Sequence, residues 1–475
     1  MSEIPTSDAS TADPTAGTRP TRRRRTTILA LSGIVTAALV AGALTLGGAF
    51  DGDAPKATAA AAEQPAAPTP EPPATVTRIT HADVKALTDA RTKAVKNGDA
   101  TAFVSGIDPA NAELMAGQQT LLANLRLFPF ARAEFRPPAT LDVVQAADAG
   151  PYSYDFVIAF VHQLDGVDSA EAVETYTWTM ERASIEAPLR ITKIVGGATT
   201  GTLDSVKYPA PWDGDELAVL QREHVLLAVE VEDRSRAEAW ADQAETAAKR
   251  NAEAWHGPAI TPRRFMVFVP TTGATIKPLL GKGNVTGACE LVAPARPDGR
   301  NMPPIGSRVT FDGTGSVLGY GDANARIGLM RGPLAQAMVG QFAHSSQAGA
   351  AARSRWVSEG FAQYLAGDGR TPAVNYEASA RAQLRAGRFT GKLPVDDDLL
   401  TFGKNDQAAG ASYHLSFLTI RYLAEKYGVA KVDEFVVAMY SRPVLLDDAI
   451  RAATGLDRAR FEAEWAEYVR AELGG

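Results

Sequence analysis

The residues best suited to chemistry lie between positions 340 and 364. There the chain reads Gly340-Gln341-Phe342-Ala343-His344 and, further on, Trp356-Val357-Ser358-Glu359-Gly360. His344 and Glu359 are an imidazole and a carboxylate, the side chains that hold a divalent cation. Two histidines at i and i+4 on a helix share one face and can hold one zinc ion, and a glutamate beside the first activates the metal-bound water. One turn before His344 stands Gly340, with Gln341 beside it. Glycine supplies no ligand. Glutamine has the shape of glutamate but no protonation equilibrium, so it cannot act as a general base.

Nothing else in the chain makes up the deficit. The six histidines include no intact His-Glu-x-x-His, and the single cysteine, Cys289, excludes both an internal disulfide and a thiolate zinc cluster. His344 and Glu359 would be two protein ligands, and a catalytic zinc needs three. The reading is therefore a vestigial metal pair, with no catalytic residue and no cofactor; zinc enters only under the alternative of a working site.

The wider pattern resembles a known family. Gly340–His344 is followed by Trp356-x-x-Glu359-Gly360-x-x-x-Tyr364, and a later helix carries Ser412-Tyr413-His414 through Arg421-Tyr422-Leu423 to Tyr427-Gly428. Together these resemble the peptidase MA-like domains of the gluzincin-type zinc metallopeptidases, over roughly 216–473. The resemblance implies a short mixed sheet followed by helices that carry the site. It matches His344 to the second histidine ligand and Glu359 to the glutamate ligand, with Gly340 and Gln341 in place of the first histidine and the base. It also implies an acidic residue four positions after the glutamate, to orient the first histidine; here that residue is Gln363. Tyr413 and His414 fall on the helix that borders the cleft, which makes His414 a conceivable relocated ligand. A lost ligand together with its lost supporting carboxylate describes a metallopeptidase fold that has shed its chemistry.

The elements that must position these residues form an α+β chain of 475 residues. Residues 1–25 are polar and close with Arg22–Arg25; residues 26–50 carry no charge and exceed the roughly 20 apolar residues that cross a bilayer. Arginines ahead of such a run place the N-terminus in the cytoplasm and the bulk of the chain outside. A signal peptide cut near Ala57–Ala62 is the alternative. Residues 51–79 are rich in alanine and proline and read as a spacer. In the 80–207 part, Thr80-His81-Ala82-Asp83 forms a capping box with Ala86, Leu87, Ala90 and Ala94 along the helix's face, and a second helix spans 109–127. Strands follow over 140–146, 152–163, 171–182 and 189–195, an order that resembles the NTF2-like cone. His162 falls at a strand end and reads as a surface or pocket-edge residue. Proline and glycine at 208–215 mark a boundary.

Residues 216–475 then supply strands over 217–231, 264–270 and 309–311. Their helices span 235–253, 323–347 (restarting at Gly332-Pro333), 356–365, 408–427 and 456–473. The net charge of −7 leaves no footprint for nucleic acid. The expectation is a membrane-anchored, extracytoplasmic pseudoenzyme that binds an envelope protein or a peptide. An active metallopeptidase with an atypical site and a small-ligand sensor using the cone pocket are the alternatives.

Overall fold

The computed structural model describes residues 79–138, 144–145, 153–184, 187–199, 210–261, 263–273, 275–276, 287–292, 294, 303–343, 355–372, 374–399, 405–441 and 445–474. Residues 75–475 form one compact unit. Among the described residues no helix is long and apolar enough to cross a membrane; the run at 26–50, the tail before it and most of the spacer lie outside them.

The chain is α+β. Three helices open it: α1 (His81–Asn97), α2 (Ala100–Val104) and α3 (Ala112–Leu125). The capping box is present, with Thr80 Oγ1 accepting from the Asp83 amide and Asp83 Oδ2 accepting from the Thr80 amide. An antiparallel sheet follows, built from β1 (Phe130–Arg136), β2 (Val144–Gln145), β3 (Ser153–Leu164), β4 (Ala172–Glu181) and β5 (Arg190–Thr199), in the order β1-β3-β4-β5 with β2 also on β3. Phe156, Ile158 and Phe160 point inward from β3 at the strand's period of two. The buried stripe of α1 is Val84, Thr88, Arg91 and Ala94. It is rotated from the expected alanine face, and Ala86 and Ala90 are exposed. Small side chains tolerate either side of a helix; the bulk of Val84 and the aromatic surroundings of Arg91 decide the orientation.

The second sheet has the order β6-β7-β8-β10-β9, from β6 (Leu217–Gln221), β7 (Val225–Glu230), β8 (Phe265–Val269), β9 (Gly287–Val292) and β10 (Gly306–Phe311). β7, β8 and β10 run parallel, and β6 and β9 pair antiparallel at the edges. The central strands are apolar on both faces, as a doubly covered sheet requires. Val225, Leu227, Val229 and Val267 face a core shared with α4 (Arg234–Ala254) and the later helices. Leu226, Ala228, Met266 and Phe268 face the other way, into the core of the first sheet and its helices.

One apolar cluster thus spans the boundary expected at 208–215. Trp212 is fully buried within it. The Asn124 side chain donates to the carbonyls of Trp212 (3.1 Å) and Asp215 (2.9 Å) and accepts from the Leu217 amide. Across the same junction, Arg308 on β10 makes paired bonds of 2.7 and 2.9 Å to buried Asp168 in the β3–β4 turn. Pro211 opens a short 3-10 turn that ends at Gly214, and it is a turn inside a packed structure.

The remaining helices are α5 (Ser316–Tyr320), α6 (Ala323–Gly340), α7 (Arg355–Ala366), α8 (Glu377–Arg385), α9 (Asp396–Leu399), α10 (Asp406–Tyr427), α11 (Val429–Ser441), α12 (Leu446–Thr454) and α13 (Arg458–Gly474). α6 does not restart at Gly332-Pro333; it runs through Pro333. Met330, Leu334, Ala337 and Met338 bury its length, and that packing outweighs the missing amide.

Candidate functional site

α6 ends at Gly340, short of the expected 347. Beyond it the Phe342 amide bonds the Val339 carbonyl and the Ala343 amide bonds the Gly340 carbonyl, both at 3.0 Å. These i to i−3 bonds tighten the last turn away from α-helical geometry. The i, i+4 arrangement of 340 with 344 is therefore not carried by α6. His344 lies outside the described residues.

A side chain at 340 would have to displace the end of Leu291. Gly340 is buried against β9, and a Cβ built on it would overlap Leu291 Cδ2 and lie 3.4 Å from Leu291 Cδ1 and Cγ. Gln341 turns elsewhere: its Oε1 accepts from the Thr261 amide at 2.7 Å, and neighbouring Phe342 stacks on Trp255 with ring centroids 5.8 Å apart. Gln363 is also committed, accepting from the Val374 amide at 2.8 Å and so holding the loop after α7. These two amides fasten loops, a task for which a neutral side chain serves.

Glu359 and Tyr413 do come together. α7 and α10 approach so closely at Gly360 that an added Cβ would sit 2.7 Å from the Ser416 carbonyl carbon and 3.1 Å from Ser416 Cβ. This contact gives the glycine after Glu359 its physical reason. It brings the Glu359 carboxylate to face the Tyr413 hydroxyl and the Gln336 amide, with Arg355 3.8 Å away. Burial raises the Glu359 pKa above the usual carboxylate range; Arg355, Gln336 and Tyr413 pull the other way. Burial and the Glu359 charge raise the Tyr413 pKa, and Tyr376 packs on Tyr413 at 5.9 Å between ring centroids. The Tyr440 hydroxyl is raised by burial too; it bonds Ser358 and feels the charge of Glu359.

Gln336 is the member that the sequence reading missed. It stands one turn before Gly340, on the same face of α6 and amid the apolar Leu334-Ala335 and Ala337-Met338-Val339. A lone polar residue in such a run was the available signal.

His414 does not join this cluster. It is 4% exposed, packs on Phe417 at 5.8 Å between ring centroids, and senses Glu377, Arg381 and Arg421. Burial, above all, lowers its pKa to about 4, and its Nδ1 finds no partner among the described residues. Adjacent positions on a helix point about 100° apart, so Tyr413 and His414 serve different interfaces. His414 is a buried imidazole turned away from Glu359, in surroundings that disfavour its charged form.

The residues at the expected centre do not fit a zinc ion. Position 340 has no side chain and the end of Leu291 lies where one would project, Gln341 is bonded to Thr261, and Glu359 faces a phenol, an amide and Arg355. Among the described residues, the one group with spacing suited to a cation is Glu223, His224 and Glu245. There Glu245 bonds both His224 Nδ1 (2.6 Å) and the His224 amide (2.8 Å), stapling the β6–β7 turn to α4.

His162 also departs from expectation. It is 1% exposed, on β3, with Nε2 3.1 Å from Glu174 Oε1. Glu174 Oε2 accepts from Trp212 Nε1 at 3.1 Å, and the Tyr176 hydroxyl lies 2.7 Å from Asp213 Oδ1. Burial, then the Glu174 charge, pushes the Asp213 carboxyl well above its usual range. This polar network is enclosed where the first sheet meets Trp212, so His162 is neither at the surface nor at a pocket edge.

No protein-family model matches this chain, and no curated protein matches it.

Proposed function

We propose that residues 216–475 are a peptidase MA-like, gluzincin-type fold whose metal centre has decayed, so that the domain binds rather than cuts. The observation that carries this reading is the exchange at Gly340: a leucine from the edge strand β9 takes the space where the first ligand would project. The element order supports it as well, a short mixed sheet followed by α6, α7 and α10 with Glu359, Gly360 and Tyr413 in contact. Residues 80–207 are proposed as an NTF2-like cone, on the basis of helices followed by an antiparallel sheet. The run at 26–50 is proposed as a single-pass anchor with the rest of the chain extracytoplasmic, where the partner is an envelope protein or a peptide.

Metal analysis of the purified full chain tests the central claim. The expected result is zinc far below one equivalent and no cleavage of unfolded protein substrates. One equivalent of zinc, lost on His344→Ala, would overturn it. A reporter fused after residue 80 tests the topology separately and should be active only outside the cytoplasm.

A further inference from the structure

Helix α1 turns an arginine into the core. Arg91 is 3% exposed and lies on the buried stripe with Val84, Thr88 and Ala94. Its guanidinium carbon is 3.9 Å from the ring centroid of Phe103, 4.9 Å from Trp178 and 5.2 Å from Phe135. Aromatic faces stabilise a cation but accept none of its in-plane N–H bonds. One acceptor serves those bonds: Gln118 Oε1 takes a hydrogen from Nη2. Arg91 Nε and Nη1 meet no acceptor among the described residues, and neither does the indole Nε1 of Trp178, itself 1% exposed. Three unpaired nitrogen donors thus sit in one aromatic enclosure.

No carboxylate among the described residues forms an ion pair with Arg91. Tyr176 is the titratable group that acts on it, and burial of the unpaired charge lowers the Arg91 pKa to about 9. Glu174 and Asp213 are engaged by His162, Trp212 and Tyr176. Arg182, just past the end of β4, is paired with Asp83 at 3.0 Å. A buried charge without a partner is strongly disfavoured, and buried donors are almost always satisfied. An anionic acceptor beside the guanidinium would meet the deficit at Arg91.

We propose that Arg91 and Trp178 form the anion-binding end of a small-ligand site, and that its ligand is a monocarboxylate with a flat apolar body. One unpaired guanidinium balances one negative charge, which favours a carboxylate over a phosphate dianion. The planar guanidinium beside an indole N–H suits the two oxygens of a carboxylate. The rings of Phe103, Phe135 and Trp178 suit an aromatic or similarly flat remainder. The inference is independent of the reading given to residues 216–475.

The test uses the full chain in non-ionic detergent, labelled with ¹⁵N-tryptophan, and benzoate as the probe. The chain has six tryptophans, and loss of one indole signal in Trp178→Phe assigns the resonance of interest. Benzoate should shift that signal saturably and raise Tm, while chloride at equal ionic strength should do neither. Arg91→Met should weaken benzoate at least tenfold. Should Arg91→Met fail to fold, Trp178→Phe, which keeps an aromatic ring, should still weaken the benzoate-induced rise in Tm several-fold. The proposal is overturned by a Trp178 signal indifferent to benzoate, by a shift with phosphate alone, or by variants that respond to benzoate as the native chain does.

Discussion

Replacing Gly340 by histidine restores the missing ligand type, yet it should destabilise the protein. Leaving glycine behind in a helix gains a few tenths of a kcal/mol, and less at the last helical position. Against this stands the overlap of any Cβ with Leu291 Cδ2. The atom met is the tip of a half-buried side chain that can give way, so the cost should lie at the low end of the range for overpacking, about 1–3 kcal/mol, and the net loss should be about 1 kcal/mol. Leu291→Ala alone should cost no more than about 2 kcal/mol, the low end for a large-to-small change, because Leu291 is only half-buried. If the two residues compete for one space, the double variant should be more stable than the sum of the single losses by about 1 kcal/mol or more. Urea unfolding of the four proteins measures this coupling. Strict additivity, or a Gly340→His variant as stable as the parent, would refute the steric argument. Zinc gives a second readout. Gly340→His, Gln341→Glu and Gln363→Asp together should take up no zinc while Leu291 remains, and uptake by that triple variant would show that the leucine does not occupy the ligand's place.

Other expectations follow from the same packing. Gly360→Ala should lower stability by about 1–3 kcal/mol despite better helix propensity, because the new methyl group meets the backbone of α10 and not a flexible tip; a raised Tm would contradict it. His414, neutral in the folded chain with its pKa lowered to about 4, contributes stability that is complete above the unfolded value near 6.5 and is lost as pH falls from there to 4. His414→Leu should flatten the fall of Tm across that window. Asp433 has the opposite sign: burial raises its pKa to about 6, so its charging destabilises the fold as pH rises from about 4 through 6, and Asp433→Asn should raise Tm at pH 7 but not at pH 4. A fragment starting at residue 210 should aggregate, since it bares Leu226, Met266 and Phe268, each worth about 1.5–3 kcal/mol when buried; a monomeric, cooperatively unfolding fragment would show that the shared face is dispensable.

The legible parts of this chain were those with a local cause. The capping box at Thr80, the period-two burial of β3 and the doubly apolar β8 follow from nearest-neighbour geometry, and each is present, whereas 217–231, expected as one strand, folds into the hairpin of β6 and β7. What escaped depended on partners far along the chain. Strand β1, with its alternating charges, is held by pairing with β3 from Phe130 to Leu164. The proline in α6 predicts a break, and only the burial of both flanks explains why none occurs. The shared core was invisible because strands apolar on both faces do not say which layer covers each face.

The same distinction separates the two sites. On the proposed reading, the loss of chemistry at 340–363 is legible from residue types, since a glycine cannot bind and a glutamine cannot take a proton, wherever they stand. What replaced that chemistry could not be read so. Leu291 lies on an edge strand far ahead in sequence, and it fills the gap only because β9 runs beside α6. Arg91 is the converse case. A helical arginine in a sequence is assigned to solvent by default, because its charge is costly to bury. Its burial shows only once β1 and β4 bring Phe135 and Trp178 around it. A sequence states which groups are capable of a reaction. Whether a capable group is spent on packing, as Gln341 and Gln363 are, or left with unmet bonds, as Arg91 is, depends on the folded neighbours; the unmet bonds are where a ligand has something to gain.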